Sequence, residues 1–146
     1  MAHDYDAENA RATSALTALV GQLTDAQLAT DLGGGWSVGT SLAHLAFWDR
    51  RAALIAQRWS RDGTPSPSPS DDDDIINPAL DPIAAAVPHR EGVRLALEAA
   101  RMADDALAAL TPALAAAALA PDSPINPRRT GHRDEHIAQI EAALRG

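Results

Sequence analysis

Apolar residues recur along this chain at helical intervals. Tyr5, Ala12, Leu16, Leu19 and Leu23 follow one another at three-, four- and seven-residue steps, which predicts one apolar stripe on a first helix from about Asp4 to Val20. A second helix is expected after Ser37, a good N-cap, and on to about Trp59, with Val38, Leu42, Leu45, Ala52, Ala56 and Trp59 facing inward. A third runs from about Pro88 to Leu110 on Val93, Ala96, Leu97, Ala100, Leu107 and Leu110. A fourth runs from about Pro127 to Leu144 on Ile137, Ile140 and Leu144.

The segments between them carry stop and start signals. Gly21 lies at the end of the first helix, and Thr24-Asp25-Ala26-Gln27 reads as a capping box opening a short turn to Leu28. Gly33-Gly34-Gly35 interrupts any regular element. Thr111-Pro112 places an N-cap before a proline at the first helical position, which starts another short turn. Residues 61–74 alternate Pro with Ser and end in four Asp, a composition expected to form a solvated linker. Residues 75–87, with Pro78 and Pro82, are expected to hold a short irregular helix. Neither half of the chain could form a core alone, so residues 1–146 are read as one domain with a flexible linker at 61–77.

Connection lengths bear on topology. A helix of roughly 22 residues spans about 33 Å, and a 17-residue linker reaches about 56 Å when extended. The linker can therefore return along the bundle and set the third helix parallel to the second. The expected fold is all-α, a four-helix bundle of up-down-down-up order with a long crossover between helices 2 and 3.

Composition agrees. Hydrophobic residues make up 46% of the 146 residues, and 33 of them are Ala, which favours closely packed helices. Val, Ile, Tyr, Phe and Trp together number only 16, too few for an all-β fold. The absence of Cys excludes disulfides, thiolate metal sites and a cysteine nucleophile. All 12 basic residues are Arg, which excludes Schiff-base and Walker-type lysine chemistry. A net charge of −8 argues against nucleic acid as a partner. No stretch approaches the ~20 apolar residues of a membrane span, and the acidic N-terminus is unlike a signal peptide, so a soluble cytoplasmic protein is expected.

Five histidines carry the candidate chemistry. His132 and His136 lie four apart on the fourth helix, a spacing that lets two imidazoles reach one metal ion. At about 100° per residue, both flank the apolar stripe of their helix, and His44 borders the core face of the second helix in the same way. Three imidazoles from two helices could thus converge on one face of a divalent ion and leave a position open, as catalytic sites do. His132-Arg133-Asp134-Glu135-His136 also matches H-x-x-E-H. The proteases with that motif need an acidic ligand far downstream, and only ten residues follow His136. Glu135 is expected to face solvent, as are His3, His89 and Arg51. Trp48 shares the His44 side and is expected to be a core aromatic, with a role as pocket wall the lesser reading.

The segment from Trp36-Ser37 to His44, eight residues after the Trp, together with His132-x-x-x-His136 followed by Gln139-Ile140, resembles the DinB/YfiT-like superfamily of small helical metalloproteins. The resemblance covers essentially the whole chain. It implies an up-down-down-up bundle, usually dimeric, with a divalent metal, commonly nickel or zinc, held by His44, His132 and His136. The superfamily is related to thiol-dependent maleylpyruvate isomerases and low-molecular-weight-thiol transferases. Some of these have Glu at the position of His132, and the isomerases carry a further C-terminal domain that does not follow here. The resemblance therefore implies a metal-dependent enzyme that uses a small external thiol on a small-molecule substrate. The alternative is a non-catalytic dimeric bundle that binds a small ligand or metal.

Overall fold

The computed structural model describes residues 2–67 and 73–146. Positions 68–72, the centre of the expected linker, lie outside the described residues. The helices, in chain order, are α1 (Asp6–Val20), α2 (Asp25–Leu28), α3 (Val38–Asp62), α4 (Asp73–Ala86), α5 (His89–Ala108), α6 (Pro112–Leu119) and α7 (Thr130–Arg145). A two-stranded antiparallel hairpin, β1 (Asp31–Gly33) and β2 (Trp36–Ser37), precedes α3.

The expected caps are in place. Thr24 and Gln27 form a reciprocal capping box, Ser37 accepts from the Thr40 amide, and Thr111 caps α6 with Pro112 at its start. Each satisfies amides that a helix start leaves unpaired.

Contacts fix the helix directions. Position 39 of α3 meets positions 89 and 92 of α5, and Arg50 reaches Glu98 and Met102 further along, so α3 and α5 run parallel. Tyr5 bonds the Leu107 carbonyl while Leu23, beyond the far end of α1, meets Arg90, so α1 is antiparallel to α5. Asn9 pairs with Arg129 and Arg11 with Asp134, which makes α1 and α7 parallel. The four long helices are therefore ordered up-down-down-up, as the sequence predicts.

The long connection differs from its expectation. Helix α3 continues to Asp62, and Gly63 ends it in the left-handed region at φ 72°, with its amide on the Trp59 carbonyl. Asp73 to Asn77, expected as linker, are helical, and what was expected as a short irregular helix is a 14-residue α4 containing both Pro78 and Pro82. Both prolines are exposed, where water can take the place of the amide donors they lack. On its other side α4 buries Ala84, and its Asn77 accepts from Trp48 Nε1 at 3.1 Å.

Close approach of α3 and α5 depends on two glycines. A Cβ at Gly92 would stand 2.9 Å from the Gly39 carbonyl oxygen, and one at Gly39 would enter the His89 ring. Gly92→Ala gains about 1 kcal/mol of helix propensity but forces the helices apart, an overpacking cost of about 1–3 kcal/mol. A net loss of stability is expected in urea unfolding; a stabilised variant would show that the contact yields freely.

The apolar core forms two clusters, one around Tyr5, Ala52, Trp59 and Leu107 and the other around Leu16, Leu42, Ala96 and Ile140. On α1, α3 and at the start of α7 a buried polar layer falls between them: Asn9, Asp49, Arg129 and Arg133. This layer adjoins the histidine cluster.

Candidate metal centre

Helix α3 supplies Ser41 and His44, one turn apart and both buried. Helix α7 supplies His132 and His136, one turn apart on its inward side. The antiparallel packing of the two helices brings the three imidazoles together, and one nitrogen from each lies within 4.8 Å of the others. The three residues that the sequence singles out thus form one cluster.

Hydrogen bonds assign the protons of two rings. Arg129 Nη2 lies 3.3 Å from His132 Nδ1. A guanidinium has only donors, so His132 Nδ1 accepts and the neutral ring carries its proton on Nε2. That proton faces His136 Nε2 across 3.1 Å. His136 Nε2 therefore accepts, and its Nδ1–H donates to Ser41 Oγ at 2.8 Å. His44 Nδ1 is buried and unpartnered, as is Asp81 Oδ1 on α4 beside it.

The rings are held neutral. Burial, and then the neighbouring His136, push His44 down to about 4 despite opposition from Asp81 and Glu135. Burial pushes His132 down to about 3, helped by His136, Arg129 and His44. Burial also lowers His136. Neutral imidazole is the form that binds metals.

The residues fit a divalent ion. Three imidazole nitrogens suit zinc or nickel. The 3.1 Å between the Nε2 atoms is close to the roughly 3.3 Å between two nitrogen ligands of a tetrahedral zinc with bonds near 2.05 Å. A buried orphan nitrogen on the third ring is what a missing ligand partner leaves behind. A cation there competes with the single proton shared by the two Nε2 atoms.

The supporting residues lie outside the histidine pattern, and of them Asp49 interrupts an apolar stripe. Asp49 is fully buried and accepts from Arg129 Nε at 2.8 Å and Arg133 Nε at 2.9 Å. Arg133 also donates to Asp104, Thr13 and the carbonyls of Asn9 and Ala100. Asn9 accepts from the Arg129 amide and donates to the Pro127 carbonyl. This network fixes the start of α7, the helix that carries His132 and His136.

The cluster forms part of the wall of a cleft of about 840 Å³, with β1, β2 and α4 around it and Gln139 beside His136. Trp36 is its aromatic wall, stacked on His136 at 6.3 Å between ring centroids and tilted against His44 at 4.6 Å. Gly33, Gly34 and Gly35 all have positive φ, a run that only glycine adopts without strain. They let β2 turn back tightly and lay Trp36 on the rings.

Other expectations need correction. Trp48 is half-buried rather than a core aromatic, and it borders a second cavity of about 220 Å³ beside His44 and His132. Arg51 is also half-buried, bonded to the Pro124 carbonyl and set over the Trp48 ring. His3 contacts Tyr5 and the Leu110 carbonyl, and His89 bonds Ser37 Oγ; both are half-buried by these contacts. Glu135 is exposed as expected, yet it lines the cleft.

No single helix among the described residues is long and apolar enough to cross a membrane; α5 and α6 together reach that apolarity but are bent by 119°. Comparison with curated proteins and with solved structures gives no significant match. A family model for the DinB superfamily matches residues 8–141. That match runs from α1 into α7 and contains all three clustered histidines, and the chain belongs to the DinB superfamily.

Proposed function

We propose that the chain is a divalent-metal-dependent enzyme in which His44, His132 and His136 hold nickel or zinc. A small external thiol would react with a small electrophilic substrate, giving transfer or isomerisation. The observation that carries this reading is the opening of three neutral imidazoles into an 840 Å³ cleft. A purely structural ion would be closed off by a fourth protein ligand.

A divalent cation bound there supplies Lewis acidity and brings the pKa of a coordinated water or thiol toward neutrality. The chain's own residues do the rest. Ser41 accepts from His136 Nδ1 and keeps its Nε2 free of a proton, the Asp49–Arg129 and Asp49–Arg133 pairs hold the start of α7, and Trp36 sets an aromatic face beside His44 and His136. The chain has no Cys, so the sulfur must come from a diffusible molecule. That sulfur would bond to an electrophilic carbon and lose its proton to solvent, while either a leaving group departs with the electron pair of its bond, which is transfer, or a substrate double bond opens and is restored in the other geometry when the new bond breaks, which is isomerisation.

Protein purified without a histidine tag is expected to bind about one ion per chain, and His136→Ala to lose it, measured by elemental analysis. No bound metal under any loading condition would overturn the reading. Metal without turnover of any thiol would leave the non-catalytic binding bundle. Thiol transfer that survives His44→Ala would mean that the metal is not the catalyst.

A cytoplasmic homodimer belongs to the same reading. Phe47 and Leu54, two turns apart on α3, are 37% and 51% exposed and offer an apolar face for a second copy. Light scattering is expected to give about twice the 15.3-kDa chain mass.

A further inference from the structure

The charged side chains that line the cleft are all of one sign. Asp31 of β1, Asp81 of α4 and Glu135 of α7 line it, and no Arg does; the chain has no Lys. Among the described residues none of the three carboxylates is in an ion pair. Asp31 takes only the Gly33 amide, and Asp81 Oδ1 is buried without a partner. His44, only 6% exposed, also lines the cleft with an unpartnered Nδ1. The guanidinium closest to the rings, Arg129, is committed to buried Asp49 and to His132 Nδ1, the edge of that ring opposite the one that meets His136.

The charge balance has a consequence for what can bind. Three carboxylates around three neutral rings leave a cleft of formal charge about −3, and a divalent ion reduces this only to about −1. A ligand whose sulfur lies toward the rings must place its remaining atoms among carboxylates and the Trp36 face. A carboxylate there meets like charge, whereas an ammonium group finds opposite charge and an aromatic face.

We propose that the small molecule taken by this cleft carries a cationic ammonium group on the part lying away from the histidines, and that anionic molecules are rejected. This rests on the metal-and-thiol reading above and names the class of molecule it uses.

Three thiols of similar size test it: cysteamine, 2-mercaptoethanol and 3-mercaptopropionate, which end in ammonium, hydroxyl and carboxylate. Each is titrated into cobalt(II)-loaded protein at pH 7 and low salt, and the visible absorption of the metal is read. Cysteamine is expected to bind about tenfold or more tighter than 3-mercaptopropionate, with 2-mercaptoethanol between them. Glu135 is exposed on α7, so Glu135→Gln is expected to fold normally and to narrow that preference about threefold, while cancelling differences in intrinsic chelation. Asp81→Asn is expected to act in the same direction. Equal binding of all three, or a preference that neither variant changes, would overturn this inference and leave the metal-and-thiol reading standing. Silence of all three thiols at a fully loaded metal would overturn both.

Discussion

Replacing Asp49 by Ala is expected to destabilise the protein by about 3–5 kcal/mol and to lower its Tm by roughly 10–15 °C. Asp49 is 0% exposed and joins Arg129 to Arg133, which are themselves 8% and 0% exposed. The whole network is worth little against an apolar core of equal volume, because three charges had to leave water to form it. Removing the carboxylate alone is different, since it strands two buried cations. Their remaining partners are unequal. Arg133 keeps Asp104 and its carbonyl acceptors, whereas Arg129 keeps a 3.5 Å contact to the Asn126 carbonyl and its bond to His132. Loosening is therefore expected at Arg129, and metal affinity should fall along with stability. Denaturant titration of metal-free protein isolates the stability loss, and competition with a chromophoric chelator measures the affinity. Asp49→Asn keeps one acceptor oxygen and should fall between wild type and Ala. A loss under about 1 kcal/mol for Asp49→Ala would mean that water reaches the guanidinium groups.

The same layer marks where the sequence could be read and where it could not. Helix positions, caps and the parallel setting of α3 and α5 follow from local periodicity and from chain length, both properties of short stretches. His132 and His136 were visible because their spacing acts within one helix, and His44 because it borders an apolar stripe. Asp49 also interrupts such a stripe, four residues after Leu45 and three before Ala52. That was a usable signal, since a charge in a core stripe must be paired. Its partners Arg129 and Arg133 lie some 80 residues away, and no local pattern links them to it. Trp36 carries only a motif signal, because three glycines of unspecified conformation hide the hairpin that sets it beside the rings. Helix α4 was obscured for a different reason. Its prolines break intrahelical bonds on the exposed side, and the packing of Ala84 and Asn77 against α3 is a tertiary effect that propensity does not register.

Acidification should weaken the metal-free protein before its carboxylates titrate. In the unfolded chain each of these histidines has the ordinary value near 6.5. In the fold His44 lies at about 4 and His132 at about 3, and His136 is lowered too. Between those values the unfolded state binds more protons, so stability falls as pH falls. It is level above about 6.5, declines below that, and levels again only once the folded-state values are passed. Most carboxylates titrate below about 5, so the interval from 6.5 to 5 isolates the rings. Calorimetry in chelator at pH 7.5, 6.5, 5.5 and 5.0 is expected to show a steady Tm to 6.5 and a clear drop by 5.0. The drop should shrink in His44→Ala/His132→Ala, which removes two of the three depressed groups. An unchanged wild-type Tm across that interval, or an equal drop in the double variant, would show that the rings are hydrated enough to take up protons in the fold. In that case protons would compete for the lone pairs as pH falls through about 6.5, and metal affinity would weaken over that same interval. A drop that shrinks in the double variant would mean that the bundle keeps these rings deprotonated by burying them, so that they are ready for a cation before one arrives.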